Sequence, residues 1–239
     1  MYKLLSAAVM TAILSGCVIH IDGKSGKRAD VRETEQLQLD ATGLRGLVAD
    51  TDAGDISIEG VEGLDKVEIL AKIQTTDARG YLITLERDGD KAQLIAKARG
   101  KEPAGFAWYS GNSPRIDLVV RVPQGFTLDL DDDSGDIAIS GLQGDITIED
   151  DSGDIVLSGG AKVTIHDDSG DILVSNATGD VSIEDGSGDM LVKNIKGSVY
   201  INDGSGDIHI DGANGLTIAD AGSGDLSIHN VKGNVKVAD

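Results

Sequence analysis

Six aspartates at nearly equal intervals carry the first chemistry this chain offers. Asp136, Asp154, Asp171, Asp189, Asp207 and Asp225 each close a Ser-Gly-Asp triplet, at spacings of 18, 17, 18, 18 and 18 residues. If the fold stacks them, their carboxylates form a candidate calcium site, because hard cations prefer clustered carboxylate and carbonyl oxygens. The same residues also suit turns in which an Asp side chain accepts backbone N–H groups. A second set, Asp133, Asp151, Asp168, Asp185 and Asp203, falls just across the turn. Like charges about 5 Å apart repel by ~1 kcal/mol even in water, so such a column needs compensation from a cation or from backbone donors.

Other chemistry is weaker. The calcium-binding β-roll also spends 18 residues on two nonapeptides, but its pattern is Gly-Gly-x-Gly-x-Asp. Here Gly186-Ser187-Gly188-Asp189 sets the acid directly after glycine. Gly23-Lys24-Ser25 lacks the first glycine of a phosphate loop, since Val18 occupies that position. Of four histidines, His20 lies near the amino terminus, and His166, His209 and His229 fall at outward positions of the repeat. His166 sits between Glu149 and Glu184, where a solvated pairing with carboxylates outweighs a metal site. Long β-helical polysaccharide lyases and hydrolases use basic residues beside acid clusters, whereas residues 134–239 hold 19 Asp and Glu, five Lys and no Arg. No Ser/His/Asp arrangement is legible, so the expectation is a non-enzyme. A net charge of −20 repels nucleic acid phosphates and excludes that partner class.

The elements that position these acids follow from the repeat. Halfway between the triplets lie Gly144-Asp145, Gly179-Asp180 and Gly197-Ser198, so the unit is about nine residues and two units make an 18-residue rung. Aligned by rung, one column reads Ile137, Ile155, Ile172, Met190, Ile208, Leu226, and the next Ile139, Leu157, Val174, Val192, Ile210, Ile228. The second half gives Ile146, Val163, Val181, Val199, Leu216, Val235, then Ile148, Ile165, Ile183, Ile201, Ile218, Val237. Alternation with period two turns each pair to one face of a strand. A fixed period of this kind signals a solenoid. The expected fold is all-β, a parallel and right-handed β-solenoid with two strands per rung. Six rungs at about 4.8 Å would form a rod roughly 29 Å long. An antiparallel meander of hairpins is the alternative.

Residues 37–124 are β-rich but less regular, with Ala53–Gly60 as a degenerate rung and 101–113 as a loop holding Phe106, Trp108 and Tyr109. They read as an irregular cap over the open end of the regular repeats at 125–239. In the outward column Ala138, Val156, Leu173, Leu191, His209, Ser227, four successive apolar residues need an explanation. Val156, Leu173 and Leu191 form a candidate interaction face of about 200 Å², a size that favours cover by residues 37–123 over a dedicated partner site.

The amino terminus gives an address. Lys3 precedes the apolar stretch Leu4–Leu14, which is too short to span a bilayer, and Leu14-Ser15-Gly16-Cys17 resembles the lipobox of bacterial lipoproteins. That resemblance implies a signal peptide at 1–16, acylation of Cys17, the only cysteine, and a tether over 17–36. Loss of Lys3 leaves 20 basic against 41 acidic residues. Acyl chains buried at ~0.8 kcal/mol per CH₂ would hold the chain to a membrane. Val18 after the cysteine, where sorting signals place Asp, implies the outer membrane.

Val122-Pro123-Gln124-Gly125, then Leu128-Asp129-Leu130, then Ser-Gly-Asp-Ile repeats, resembles the bacterial β-strand-repeat family of unknown function whose members carry adhesin names and which is related to auto-transporter adhesin heads. The resemblance spans about 37–239 and supplies no catalytic residues. It implies a non-catalytic cell-envelope lipoprotein whose solenoid presents a binding or adhesive face to protein or glycan. The alternative is a periplasmic envelope-stress or regulatory accessory protein bound to another envelope component.

Overall fold

The structure, a computed structural model, describes residues 31–75, 80–98 and 114–238. Its first eight strands are β1 (Val31–Asp40), β2 (Gly46–Ala53), β3 (Ile56–Val61), β4 (Lys66–Thr75), β5 (Tyr81–Asp88), β6 (Lys91–Ala98), β7 (Arg115–Pro123) and β8 (Thr127–Ser134). The repeats then give β9 (Ile137–Ser140), β10 (Ile146–Asp150), β11 (Ile155–Ser158), β12 (Val163–Asp167), β13 (Ile172–Ser175), β14 (Val181–Asp185), β15 (Met190–Lys193), β16 (Ser198–Ser205), β17 (Ile208–Ala213), β18 (Gly215–Ser223), β19 (Leu226–Val231) and β20 (Val235–Val237). No helix occurs among the described residues.

Two ten-stranded sheets face each other. One runs β1-β4-β7-β3-β9-β11-β13-β15-β17-β19 and the other β5-β6-β2-β8-β10-β12-β14-β16-β18-β20. Within the repeats every pairing is parallel and links equivalent residues of successive rungs, as in Ile155↔Ile172 and Ile165↔Ile183. The chain is therefore a β-solenoid and not a meander. The aliphatic columns meet between the sheets, where Leu157, Val174, Ile165 and Ile183 are wholly buried. Each such side chain contributes about 1.5–3 kcal/mol of apolar burial, which carries the fold in the absence of any disulfide among the described residues. The rung of Leu226, Val235 and Val237 has a described neighbour on one side only, and these three are exposed.

Glycine is required at the Ser-Gly-Asp turn. Gly153, Gly170, Gly188 and Gly206 hold φ between +142° and +158°, and a methyl on each would overlap the carbonyl oxygen of the glycine one rung earlier. Rung spacing thus fixes the residue type along a whole column.

The N-terminal strands continue the sheets. The degenerate rung is real: β2 pairs in parallel with β8 and β3 with β9, joined at Gly54 with φ +126°. Beyond it each sheet adds one more parallel pair, β3–β7 and β2–β6, before the antiparallel pairs β1–β4, β4–β7 and β5–β6 complete the sheets at that end. β1 starts at Val31, inside the span expected to be tether. Its polar sequence suits a sheet-edge strand that is half-buried on one face. The loop expected at 101–113, the signal peptide at 1–16 and Cys17 lie outside the described residues.

Candidate functional site

The Ser-Gly-Asp aspartates form an exposed, in-register file along the turn edge. Each Oδ1 accepts the backbone N–H of the next aspartate in the file: Asp154 N–H to Asp136 at 3.2 Å, Asp171 to Asp154 at 3.0 Å, Asp189 to Asp171 at 2.9 Å, Asp207 to Asp189 at 2.9 Å and Asp225 to Asp207 at 2.8 Å. Backbone dipoles thus offset the like-charge repulsion expected from the spacing. Halfway around the rung, Asp145 and Asp180 repeat the device on Lys162 and Ser198 N–H groups. Among the described residues, no three acid, histidine or cysteine side chains gather around one point.

The second column differs from the one expected. Asp133, Asp151 and Asp168 are exposed, and the file that stacks is Asp132, Asp150, Asp167, Asp185 and Asp203. All five are between 2% and 7% exposed. Oδ1 of Asp150, Asp167, Asp185 and Asp203 accepts the N–H two residues on, from Ser152, Ser169, Ser187 and Ser205, at 3.1–3.4 Å. Asp132 Oδ1 accepts the Thr51 hydroxyl at 2.5 Å. Every Oδ2 of the file is buried without a hydrogen-bond partner. Burial, and then the neighbouring acids, push Asp150 and Asp185 up to about 7; Asp132 and Asp167 rise to about 6, and Asp203 also rises. The signal was present in the sequence: counting by two along the core strand, Ile146 and Ile148 lead to Asp150, and Val181 and Ile183 lead to Asp185. Alternation carries the acid inward. The Asp-Asp pairs at 132–133, 150–151 and 167–168 hide which member continues it.

Val156, Leu173 and Leu191 stand in register on the outer face, followed by His209. They floor an open groove of about 590 Å³ whose rim is Asp154, Asp171, Asp189 and Asp207. Val156 is 47% exposed, and Leu173 and Leu191 are half-buried. The described strands of residues 37–123 do not supply the expected cover, because they extend the sheets edge to edge and do not fold across their faces; residues 76–79 and 99–113 of that span lie outside the described residues. Among the described residues, none of the ion pairs engages the four rim aspartates. His166 lies between Glu149 and Glu184 in register, with Nδ1 3.4 Å from Glu184.

Stacked two-strand rungs with Ser-Gly-Asp turns match the model of Toastrack DUF4097 over residues 66–238. The chain belongs to this family. The Toastrack match crosses the boundary expected at 124/125, as the continuous sheets do. Among solved structures, the chain is similar to a "putative adhesin" of Parabacteroides distasonis ATCC 8503 (11% identity, 88% of this chain and 98% of that one, TM-score 0.47). It is also similar to a "putative lipid binding protein" from the same strain (15%, 87% and 97%, 0.46). A third is a "putative cell adhesion protein" of Clostridium sporogenes ATCC 15579 (11%, 87% and 100%, 0.40). No curated protein matches the chain.

Proposed function

We propose that this chain is a non-catalytic cell-envelope lipoprotein, anchored through Cys17, whose solenoid binds a cationic amphipathic protein segment in the groove of Val156, Leu173 and Leu191. The observation that carries the reading is the groove itself: an aliphatic floor beside a rigid line of aspartates. Each rim carboxylate is pinned by one oxygen to a backbone N–H, so its charge is held in place before a partner arrives. Preorganisation of this kind lowers the entropy cost of binding.

The chemistry favours protein over glycan. The described floor holds no Phe, Tyr or Trp ring on which a sugar would stack. The pitch also suits a helix, since rungs about 4.8 Å apart nearly match the 5.4 Å helical turn. A helix along the column sets one apolar side chain on each floor residue and one Lys or Arg over each aspartate. The non-catalytic reading is supported by the use of the repeat's aspartates and serines as backbone caps. The envelope address rests on the lipobox, and protease shaving of intact cells separates a cell-surface position from a periplasmic one.

Titrating the folded protein with a helical Lys/Leu peptide tests the site. The expected result is binding that weakens with salt, weakens in Asp171→Asn/Asp189→Asn and is lost in Leu173→Lys, with the melting temperature unchanged in Leu173→Lys. Equal affinity in Leu173→Lys would reduce the effect to general attraction by an acidic protein, and absence of binding at low salt would remove the site.

A further inference from the structure

The five stacked aspartates inside the turn have no part in the groove, and their burial is costly for a carboxylate. Asp132, Asp150, Asp167, Asp185 and Asp203 follow one another across β8, β10, β12, β14 and β16, each directly above the last. One oxygen of each is used as a turn cap or by Thr51; the other is buried and meets no donor. A buried acceptor without a donor is costly, and five in a file are not a packing accident. The file ends at Ala221, which takes the next position beside Asp203.

The surroundings offer almost no positive charge. Asp132 feels Asp52, Asp133 and Lys97; Asp150 feels Asp132, Asp167 and Asp151; Asp167 feels Asp168 and Asp154; Asp185 feels Asp167 and Asp203; Asp203 feels Asp220. Lys97 is the one cation among these, and its ammonium is held by Asp50 at 2.5 Å and Asp52 at 2.7 Å. Among the described residues, no three acid, histidine or cysteine side chains converge as a polydentate cation site would need. What an acid file without cations can recruit is protons from solvent.

We propose that these five aspartates form a proton ladder: in some rungs the buried, unpartnered Oδ2 carries a proton and the carboxyl is neutral, so that folding takes up protons and mild acid tightens the rod. Each proton enters from water, and no bond other than O–H is made or broken. The direction follows from linkage. The folded carboxyls hold protons to higher pH than the unfolded chain, near 3.8 for Asp. The stabilisation is therefore complete below the unfolded value and is lost as pH rises through about 6 to 7. Most acidic proteins that rely on exposed carboxylate pairs behave in the opposite sense.

The test is thermal melting at about pH 8 and about pH 5.5, in roughly 0.5 M salt to screen the exposed charges. The wild type is expected to melt higher at the lower pH. Asp150→Asn/Asp185→Asn keeps both Oδ1 caps and places an amide donor where Oδ2 stood, so it should melt above wild type at the higher pH and show a clearly smaller pH response. Asp151→Asn/Asp168→Asn, one residue along and exposed, should keep most of the wild-type response, losing only what those two charges add at Asp150 and Asp167. Infrared spectra of the wild type near neutral pH should show an un-ionised carboxyl band in the folded state only, a reading that stands even if the buried variant fails to fold. A wild type that is flat or less stable in mild acid, no folded-state carboxyl band, or an equal response in both double variants would overturn the ladder. So would a divalent cation that stabilises wild type at the higher pH and loses its effect in Asp150→Asn/Asp185→Asn, because a metal would then fill the file.

Discussion

The N–H of Asp171 donates to Oδ1 of Asp154 at 3.0 Å, so an acidic side chain of one rung holds the backbone of the next. Five such bonds run along one edge of the solenoid, and they convert a file of like charges into a set of inter-rung clasps. Replacing Asp171 by Ala removes the acceptor used by Asp189 at 2.9 Å. Chemical denaturation should show a loss of about 1 kcal/mol, with Asp171→Asn losing less because its amide oxygen still accepts. Equal losses in the two variants would show that the charge and not the hydrogen bond matters.

Calcium provides a separate measurement on the same file. With one oxygen of five of the six carboxylates engaged by backbone, millimolar calcium and magnesium should raise the melting temperature by similar small amounts, as expected for screening. A shift that is large for calcium and weak for magnesium would instead assign specific calcium sites to Asp136, Asp154, Asp171, Asp189, Asp207 and Asp225.

Gly170→Ala should be among the most damaging single changes in the molecule. Its φ is +152°, and the added methyl would overlap the carbonyl oxygen of Gly153. A loss well above ~1 kcal/mol, or failure to fold, is expected. Circular dichroism of a soluble, normally melting Gly170→Ala protein would contradict the rung contact.

Core and groove positions should separate cleanly although both are aliphatic. Ile165 is wholly buried, and Ile165→Ala should cost about 2–5 kcal/mol. Val156 is 47% exposed, and Val156→Ser should stay within about 0.5 kcal/mol of wild type. Similar losses at the two sites would mean that the groove is covered.

Cys17→Ser tests the anchor. The variant should accumulate as an unprocessed or soluble protein, read by fractionation and mass spectrometry. Processed Cys17→Ser protein that still fractionates with membranes would end the lipoprotein proposal.

The rung length, the two strands per rung and the four aliphatic columns were legible in the sequence, because a period near 18 with apolar residues at every second position admits few packings. So was the file ending at Asp225, since each member follows the glycine that the turn demands. Two features waited for the tertiary structure. Whether the strands of residues 37–123 would cover Val156, Leu173 and Leu191 depended on sheet order, which local pattern does not encode: β3 and β7 join the sheet beside β9 and do not cross its outer face. Which aspartate of each Asp-Asp pair turns inward depended on whether strand alternation continues to the last residue before the turn. It does, through Asp132, Asp150 and Asp167, because parallel pairing with the neighbouring rungs holds those residues extended.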